Sequence, residues 1–264
     1  MKPARLRVWL LGLVLGAPAA FAQSQSEREH VPPDPPQTRM HSMSYHEMTE
    51  MMGMDDRAPQ RKVMLDRLEW IDADEATFAW DAAAWFGGDY NKVWLETEGE
   101  RASGSTHDSR IELAWDRIVT PWWSTRLGVR QDGGAGPSRT WAAFGVAGLA
   151  PGLIEVEASA YVGEDGRTAL RVTSMYDLLF TQRLVLEPRL ELNAYGKDDA
   201  QRLIGSGLSD LTVDLRLRYE IRRELAPYVG LRWDKRFGES ADLARAAGAD
   251  PDEISFLAGL RLWF

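Results

Sequence analysis

Strict alternation of apolar and polar residues limits this chain to β-structure more strongly than any other feature of its sequence. In LTVDLRLRYEI (211–221), every second residue is Leu, Val, Tyr or Ile, and the residues between them are Thr, Asp, Arg or Glu. The same division recurs in LIEVEASAYV (153–162), LVLEPRLELNAY (184–195) and ISFLAGLRLWF (254–264). Because successive side chains of a strand point to opposite faces, each segment predicts a strand with one apolar face.

The lengths of these segments distinguish a membrane barrel from a soluble sandwich. A soluble β-sandwich also alternates, but its strands have about five or six residues. Here the segments run to about nine to twelve residues, which is enough to cross a bilayer in a tilted barrel strand. The chain stops on Phe264 in an apolar row, which resembles the carboxyl-terminal signal of bacterial outer-membrane barrel proteins. We therefore predict an all-β, transmembrane, antiparallel up-and-down β-barrel.

The number of strands is limited by the side of the membrane on which the first strand begins and the last strand ends. An outer-membrane barrel with both ends on the periplasmic side has an even number of strands. Alternation and turn signals predict strands near 75–86, 90–100, 108–117, 123–132, 139–149, 152–163, 167–177, 183–197, 209–221, 226–238 and 253–264. The remaining candidate is VMLDRLEWI (63–71), although its alternation is poor. We predict about twelve strands, with ten as the alternative.

Tryptophans near the predicted turns fit aromatic girdles at the two membrane interfaces. Ordinary core aromatics are the alternative interpretation of the same residues. The set comprises Trp70, Trp85, Trp122, Trp123, Trp141 and Trp263.

The residues before the barrel divide into two segments. Residues 1–22 have the parts of a secretory signal peptide: a basic start, a short apolar run, and Ala20-Phe21-Ala22 before the expected cleavage point. Residues 23–62 are polar and rich in proline, methionine and histidine, which predicts a disordered leader. The outer-membrane β-barrel is then predicted over residues 63–264.

Charge and cysteine content exclude some classes of partner and some sources of stability. Removal of the signal peptide removes three positive charges and changes the formal charge of the chain from −9 to −12. This acidity argues against a nucleic-acid partner and fits cationic ligands or simple solubility. The chain has no cysteine, so disulfides do not stabilise it.

If the apolar faces contact lipid, the charged faces line the barrel interior. Arginine–carboxylate ladders that brace the barrel are one interpretation of these residues. A carboxylate-lined cation path is the other, and the two are compatible. The best candidates for the path are neighbouring inward carboxylates, which repel each other unless a cation or an arginine lies between them: Glu96, Glu98, Glu155 and Glu157.

The segment MHSMSYHEMTEMMGMDD (40–56) contains six of the nine methionines and two of the four histidines. A core helix or an interfacial helix would also use Leu, Ile, Val or Phe, and the segment has none of them. Thioethers are soft ligands suited to Cu(I), and imidazole suits both copper oxidation states. Zinc is the alternative metal, but methionine is not among its usual ligands. We therefore predict a copper-binding segment that uses Met40, His41, Met43, His46, Met48, Met51, Met52 and Met54.

Several motifs resemble the copper resistance protein B family. They are DRLEW (66–70), AWDAAAWFGGDYNKVWLETEGE (79–100), SRIELAWDR (109–117), PWWSTRLGVRQD (121–132) and the terminal LRLWF (260–264). The resemblance implies an outer-membrane barrel of a Gram-negative bacterium that binds copper ions, with a periplasmic leader. It also implies action alongside periplasmic copper proteins such as a multicopper oxidase or a copper carrier. Export, uptake and sequestration of copper all remain open.

Three classes of function are compatible with such a chain. The first is a non-enzymatic copper-handling barrel that captures copper through the leader and passes or holds it in an acidic lumen. The second is a non-selective porin or a structural barrel. The third is an outer-membrane enzyme, which needs a nucleophile with an activated base. His107 is the only histidine after the leader, in a predicted external loop with Ser105, Asp108 and Ser109, and proximity in sequence does not make a triad. We expect no enzymatic activity.

Overall fold

The computed structural model describes residues 44–53, 58–72, 76–102 and 104–264. The chain divides into two units, residues 1–54 and residues 55–264, and each unit is described by itself. The predicted signal peptide, residues 1–22, lies outside the described residues, so the predicted division into signal, leader and barrel remains a prediction. Neither described α-helix is long and apolar enough to cross a bilayer.

The described residues of the first unit, 44–53, include a short helix, α1 (Tyr45–Met51), within the segment predicted to be a disordered leader. Ser44 begins the helix: its backbone N–H donates to Glu47 Oε2 at 2.8 Å, and the Glu47 N–H donates to Ser44 Oγ at 3.3 Å. This reciprocal pair is a capping box. The hydrogen bonds from Ser44 lower the pKa of the Glu47 carboxyl below its usual value.

The second unit is built from strands, a short helix and two single 3₁₀ turns. The strands are β1 (Gln60–Asp72), β2 (Thr77–Gly87), β3 (Asn91–Ala102), β4 (Ser105–Thr120), β5 (Trp123–Gly134), β6 (Arg139–Ala150), β7 (Ile154–Gly163), β8 (Thr168–Met175), β9 (Leu178–Leu179), β10 (Leu184–Tyr195), β11 (Gly207–Tyr219), β12 (Leu225–Arg236) and β13 (Asp252–Trp263). The helix α2 (Gly238–Ala246) precedes β13, and the 3₁₀ turns are Glu164–Gly166 and Ala200–Arg202.

The strands form one closed antiparallel barrel. Each strand pairs with its neighbours in the chain, and β1 also pairs with β13, where Trp70 lies opposite Ala258. The two residues of β9 pair with β10 beside β8, so β8 and β9 share one position and the ring has twelve. The predicted twelve-stranded transmembrane barrel is confirmed.

A β-bulge explains why the first strand alternates poorly. Between Leu65 and Leu68 the pairing of β1 shifts against both of its neighbours. Asp66 and Arg67, adjacent in sequence, therefore both contribute to the interior, where they pair with arginine and aspartate partners. The extra residue moves the apolar row from one phase of the alternation to the other.

The outside of the barrel is an apolar surface. The row predicted from the last strand is exposed, with Ile254 and Phe256 each 68% exposed and Phe264 72%. Exposure of large apolar side chains on this scale fits a lipid-facing surface and not a soluble sandwich. One girdle assignment is wrong: Trp141 lies inside the barrel, where its indole N–H donates to Asp132 Oδ2 at 2.8 Å. Trp70 and Trp122 are exposed, at 56% and 62%.

The two ends of the barrel differ in their connections. We call the end at which β1 begins and β13 ends the proximal end, and the opposite one the distal end. The two longest connections, residues 196–206 and 237–251, are both distal, and the second contains α2. The proximal end has only shorter turns, such as residues 121–122 and 151–153.

Candidate functional site

The barrel interior contains two cavities separated by charged side chains. A distal chamber of about 830 Å³ and a proximal chamber of about 780 Å³ share four lining residues: Arg67, Glu98, Arg110 and Arg171. We call these four residues the central belt. Since they line both chambers, they lie at the boundary between them.

Glu98 is the centre of the belt. Arg171 makes a two-pronged contact with it, with nitrogen–oxygen distances of 2.9 and 3.0 Å. Arg110 also ion-pairs with Glu98, and a guanidinium nitrogen of Arg67 lies 3.7 Å from it. Forked arginine–carboxylate contacts fix geometry as well as charge. Glu98, one of the predicted path carboxylates, is therefore held by three arginines.

A second buried cluster forms around Glu69, whose side chain is 0% exposed. Arg216 Nε donates to one of its oxygens at 2.7 Å, and Arg232 Nη2 donates to the other at 3.3 Å. The Tyr228 hydroxyl also donates to it at 3.0 Å. Asp214 contacts the same two arginines. Two carboxylates and two guanidiniums thus neutralise one another, as buried charges must.

The proximal chamber has an acidic wall on β3, β4 and β7, lined by Glu96, Glu112, Glu155 and Glu157, and Asp116 on β4 joins this group through Arg126. Arg126 on β5 reaches three of these carboxylates: Glu96 at 2.9 Å, and Asp116 and Glu157 at 3.2 Å each. The Trp94 ring stacks against the Arg126 guanidinium, 4.8 Å from the ring centroid. One arginine therefore balances three acids, and the wall keeps a surplus of carboxylates.

Two carboxylates of this acidic wall have no ion pair with any residue in the described part of the chain. Glu112 lies directly opposite Glu96 in the register of β3 and β4, an arrangement that like charges disfavour. Its contact is a hydrogen bond from the Tyr161 hydroxyl at 3.2 Å. Among the described residues, the Glu155 side chain has neither an ion pair nor a hydrogen bond. Of the four predicted path residues, Glu96 and Glu157 thus share Arg126, Glu98 is in the belt, and Glu155 has no ion pair or hydrogen bond with any residue that the structure describes.

Two methionines that the sequence analysis did not single out also line the proximal chamber. They are Met64 on β1 and Met175 on β8, and both side chains are partly exposed to the cavity. Inward alternation could have identified Met175, whereas the bulge in β1 obscured Met64. Thioethers and carboxylates therefore share this chamber.

The predicted copper-binding segment is described in part. Met48, Met51 and Met52 lie within and just after α1, at spacings of three and four residues. Residues at this spacing lie on one face of a helix. Met51 and Met52 are 51% and 44% exposed. His46 lies in α1, and four further predicted ligands lie outside the described residues: Met40, His41, Met43 and Met54. Within the described ranges, no three His, Asp or Glu side chains are grouped to hold a metal ion.

The distal mouth is crossed by the connection 196–206, which we call the strap. Arg202 of the strap donates to Asp108 at 2.8 Å, to the Pro137 carbonyl at 3.1 Å and to the Gly133 carbonyl at 3.3 Å. Asp199 accepts from Arg139 at 2.9 Å. These contacts join the strap, between β10 and β11, to strands and a turn on the other side of the ring.

The candidate catalytic histidine lies in a strand and not in an external loop. His107 is the third residue of β4, which begins at Ser105, and it lines the distal chamber. The Asp108 carboxylate accepts from Arg202 and from the Ser109 N–H. Asp108 is therefore engaged by the strap.

Residues 60–264 match the family described as Copper resistance protein B precursor (CopB). Copper resistance protein B of Escherichia coli is 45% identical over 210 residues, which cover 79% of this chain and 71% of that protein. The Copper resistance protein B homolog of Pseudomonas syringae pv. tomato is 41% identical over 244 residues, 92% of this chain and 83% of the homolog.

Among solved structures, the NanC porin in a rhombohedral crystal form superposes with a TM-score of 0.51 at 12% identity. The match covers 77% of this chain and 99% of the porin. At this identity, the likeness concerns the barrel fold alone.

Proposed function

The chain belongs to the copper resistance protein B family, and from this membership we propose that it contributes to copper resistance as an outer-membrane barrel that captures copper ions through its methionine-rich leader. The acidic proximal chamber then receives or holds the captured ion. The proximal end carries the shorter turns, which in outer-membrane barrels face the periplasm. Since the leader directly precedes β1 in the sequence, a periplasmic leader is part of this proposal.

Three thioethers on one face of α1 carry this proposal. Met48, Met51 and Met52 follow one another at helical spacing, and two of them are well exposed. An apolar role in a core would bury them, whereas a capture site needs its sulfur atoms accessible. Copper ions are the cargo, and the chemistry is ligand exchange without a catalytic step. A periplasmic multicopper oxidase or copper carrier is the corresponding partner.

The central belt disfavours the alternative of a non-selective porin. A general porin needs a continuous aqueous lumen, whereas here the two chambers share a boundary of ion-paired side chains at Glu98. The acidic wall lies on the proximal side of that boundary. This arrangement supports selective handling of a cation in the proximal chamber.

Copper bound per chain tests the proposed function. The full chain in detergent is titrated with Cu(I), and the same is done for the triple variant Met48→Leu, Met51→Leu, Met52→Leu and for a deletion of residues 40–54. We expect both variants to bind less copper while the barrel still shows the folded mobility shift on unheated gels. Leucine has nearly the same volume as methionine. A loss of copper binding in these variants would therefore be due to the missing sulfur ligands and not to a change in packing.

A rescue variant separates ligation from packing. Met51→His in the background of the other two leucines restores a donor that copper accepts, and we expect part of the lost binding to return. Zn²⁺ is the control metal, whose binding the leucine substitutions should leave unchanged. Equal copper stoichiometry in the wild type, the triple variant and the deletion would reject the proposed function.

A further inference from the structure

We propose that Met175 and Glu155 form a thioether–carboxylate site for a soft monovalent cation in the proximal chamber, with Met64 as a second thioether on the far side of that chamber. This inference rests on the proposed function, because it identifies where a captured ion is received. It concerns only barrel residues, none of which belongs to the methionine-rich leader.

The distribution of methionine points to the proximal chamber. The chain has nine methionines; Met1 begins it and six lie between residues 40 and 54. Both remaining methionines, Met64 and Met175, line the proximal chamber. Neither belongs to the buried apolar clusters formed by the described residues, so core packing does not account for them.

Glu155 lies beside Met175. The two residues are directly opposite in the register of β7 and β8, where Cβ atoms are about 4.5–5.5 Å apart on one face. Glu155 makes no ion pair or hydrogen bond with any described residue, so its oxygens are available. Arg189, which pairs with Met175 on the other side, donates to Glu191 at 3.0 Å. The thioether and the carboxylate can therefore reach one ion.

Met64 lines the same chamber from β1. Arg261 contacts Asp66 on β1 at 3.0 Å and Glu187 on β10 at 3.5 Å. One side chain thus spans the gap between these strands. Met64 is two residues from Asp66 on the same strand, and Met175 lies opposite Arg189, two residues from Glu187. Met64 and Met175 therefore lie near the two residues, Asp66 and Glu187, that Arg261 joins.

The chemistry of these donors selects the ion. Thioether sulfur is a soft ligand that suits Cu(I) and discriminates against hard cations such as Ca²⁺, which take oxygen ligands. The Glu155 carboxylate supplies a negative charge that compensates a monovalent cation. Arg126 neutralises Glu96 and Glu157 but makes no contact with Glu155. Arg261, the cation that interacts with Glu155 over a longer distance, is itself ion-paired with Asp66 and Glu187, so Glu155 keeps negative charge for the ion.

Methionine-methyl NMR tests the site in the full chain. The protein is produced with ¹³C-methyl methionine in detergent micelles, and single Met→Leu variants assign the resonances. Ag⁺ is the probe, since it is a soft monovalent cation that needs no reductant. We expect the Met175 and Met64 resonances to shift and saturate with Ag⁺ and to be unchanged by Ca²⁺. In Glu155→Gln, the apparent affinity read from Met175 should weaken roughly tenfold.

Glu100→Gln is the matched control, because it removes a carboxylate that lines the distal chamber and should leave the Met175 titration unchanged. If Ag⁺ shifts the methyl resonances of leader methionines but not those of Met64 and Met175, this site is rejected and the proposed function stands. If no methionine resonance shifts with Ag⁺, both the barrel site and the proposed function are rejected. An unchanged affinity in Glu155→Gln would reject the carboxylate as a ligand.

Discussion

Glu69 is a fully buried carboxylate that the barrel keeps charged by surrounding it with donors. Arg216, Arg232 and Tyr228 contact its two oxygens at 2.7 to 3.3 Å. Removing an ion from water costs several kcal/mol, and only well-placed partners offset that cost. The cluster therefore stabilises the barrel only while every member is present.

Glu69→Gln should lower the free energy of unfolding by about 3–5 kcal/mol, because it removes one of the carboxylates that compensate two buried guanidiniums and leaves an excess of buried positive charge. Urea unfolding of the refolded barrel, followed by tryptophan fluorescence, measures the change. Asp242→Asn is the control, since it breaks the exposed Asp242–Arg245 pair of α2, worth less than about 1 kcal/mol. Equal effects of the two substitutions would show that the Glu69 cluster contributes no special stability.

Alternation predicted which side chains point inward, but not which of them meet. Glu98 was predicted to be a candidate for the cation path, yet it is held by arginines from β1, β4 and β8. Contacts across the lumen depend on the tilt and register of the strands, which period-two alternation does not contain. Glu69 was not predicted at all, because the bulge after Leu65 reverses the phase of its strand.

At the scale of elements, most strand positions followed from the sequence, and the irregular elements did not. All eleven well-alternating segments are strands, and β1 completes the ring. The helix α1 lay in a segment predicted to be disordered, although SYHE at 44–47 is a capping-box pattern that could have indicated it. The strap and α2 could not be foreseen, since distal connections are fixed by tertiary contacts and not by periodicity.

The strap should restrict access to the distal chamber, and Arg202 should be the residue that fastens it. The chain has no cysteine, so Ser255→Cys places a single thiol on the chamber wall. Adding Arg202→Ala should raise its labelling rate by a membrane-impermeant thiol reagent roughly tenfold, because charge-assisted hydrogen bonds of about 1.5–3 kcal/mol are lost.

Arg245→Ala is the control for the strap, since Arg245 pairs only within α2, with Asp242, and should leave the labelling rate as it is. Identical rates in the Arg202→Ala and Arg245→Ala backgrounds would show that the strap is not a barrier to the distal chamber.

At the scale of the molecule, closure between β1 and β13 makes the sheet a barrel. Trp70 and Ala258 are partners across this seam. The double variant Trp70→Cys, Ala258→Cys should therefore form a disulfide on oxidation, because opposed residues in a sheet meet its distance requirement. Loss of free thiols in the folded, unheated protein measures it. Trp70→Cys with Ile254→Cys is out of register and should keep both thiols; the reverse pattern would contradict the closed ring.

The Glu69 cluster also sets the order in which this chain can be completed. Glu69 belongs to the first strand, and its donors lie 147 to 163 residues later in the chain. Until β11 and β12 exist, the glutamate lacks the two arginines that contact its oxygens, and water must solvate it instead. In a polypeptide truncated before Arg216, the Glu69 carboxylate would therefore stay exposed to water, and β1 could not take its final place in the barrel. We therefore expect closure of the ring and pairing of that glutamate with its arginines to occur as one late, cooperative event in the assembly of the protein.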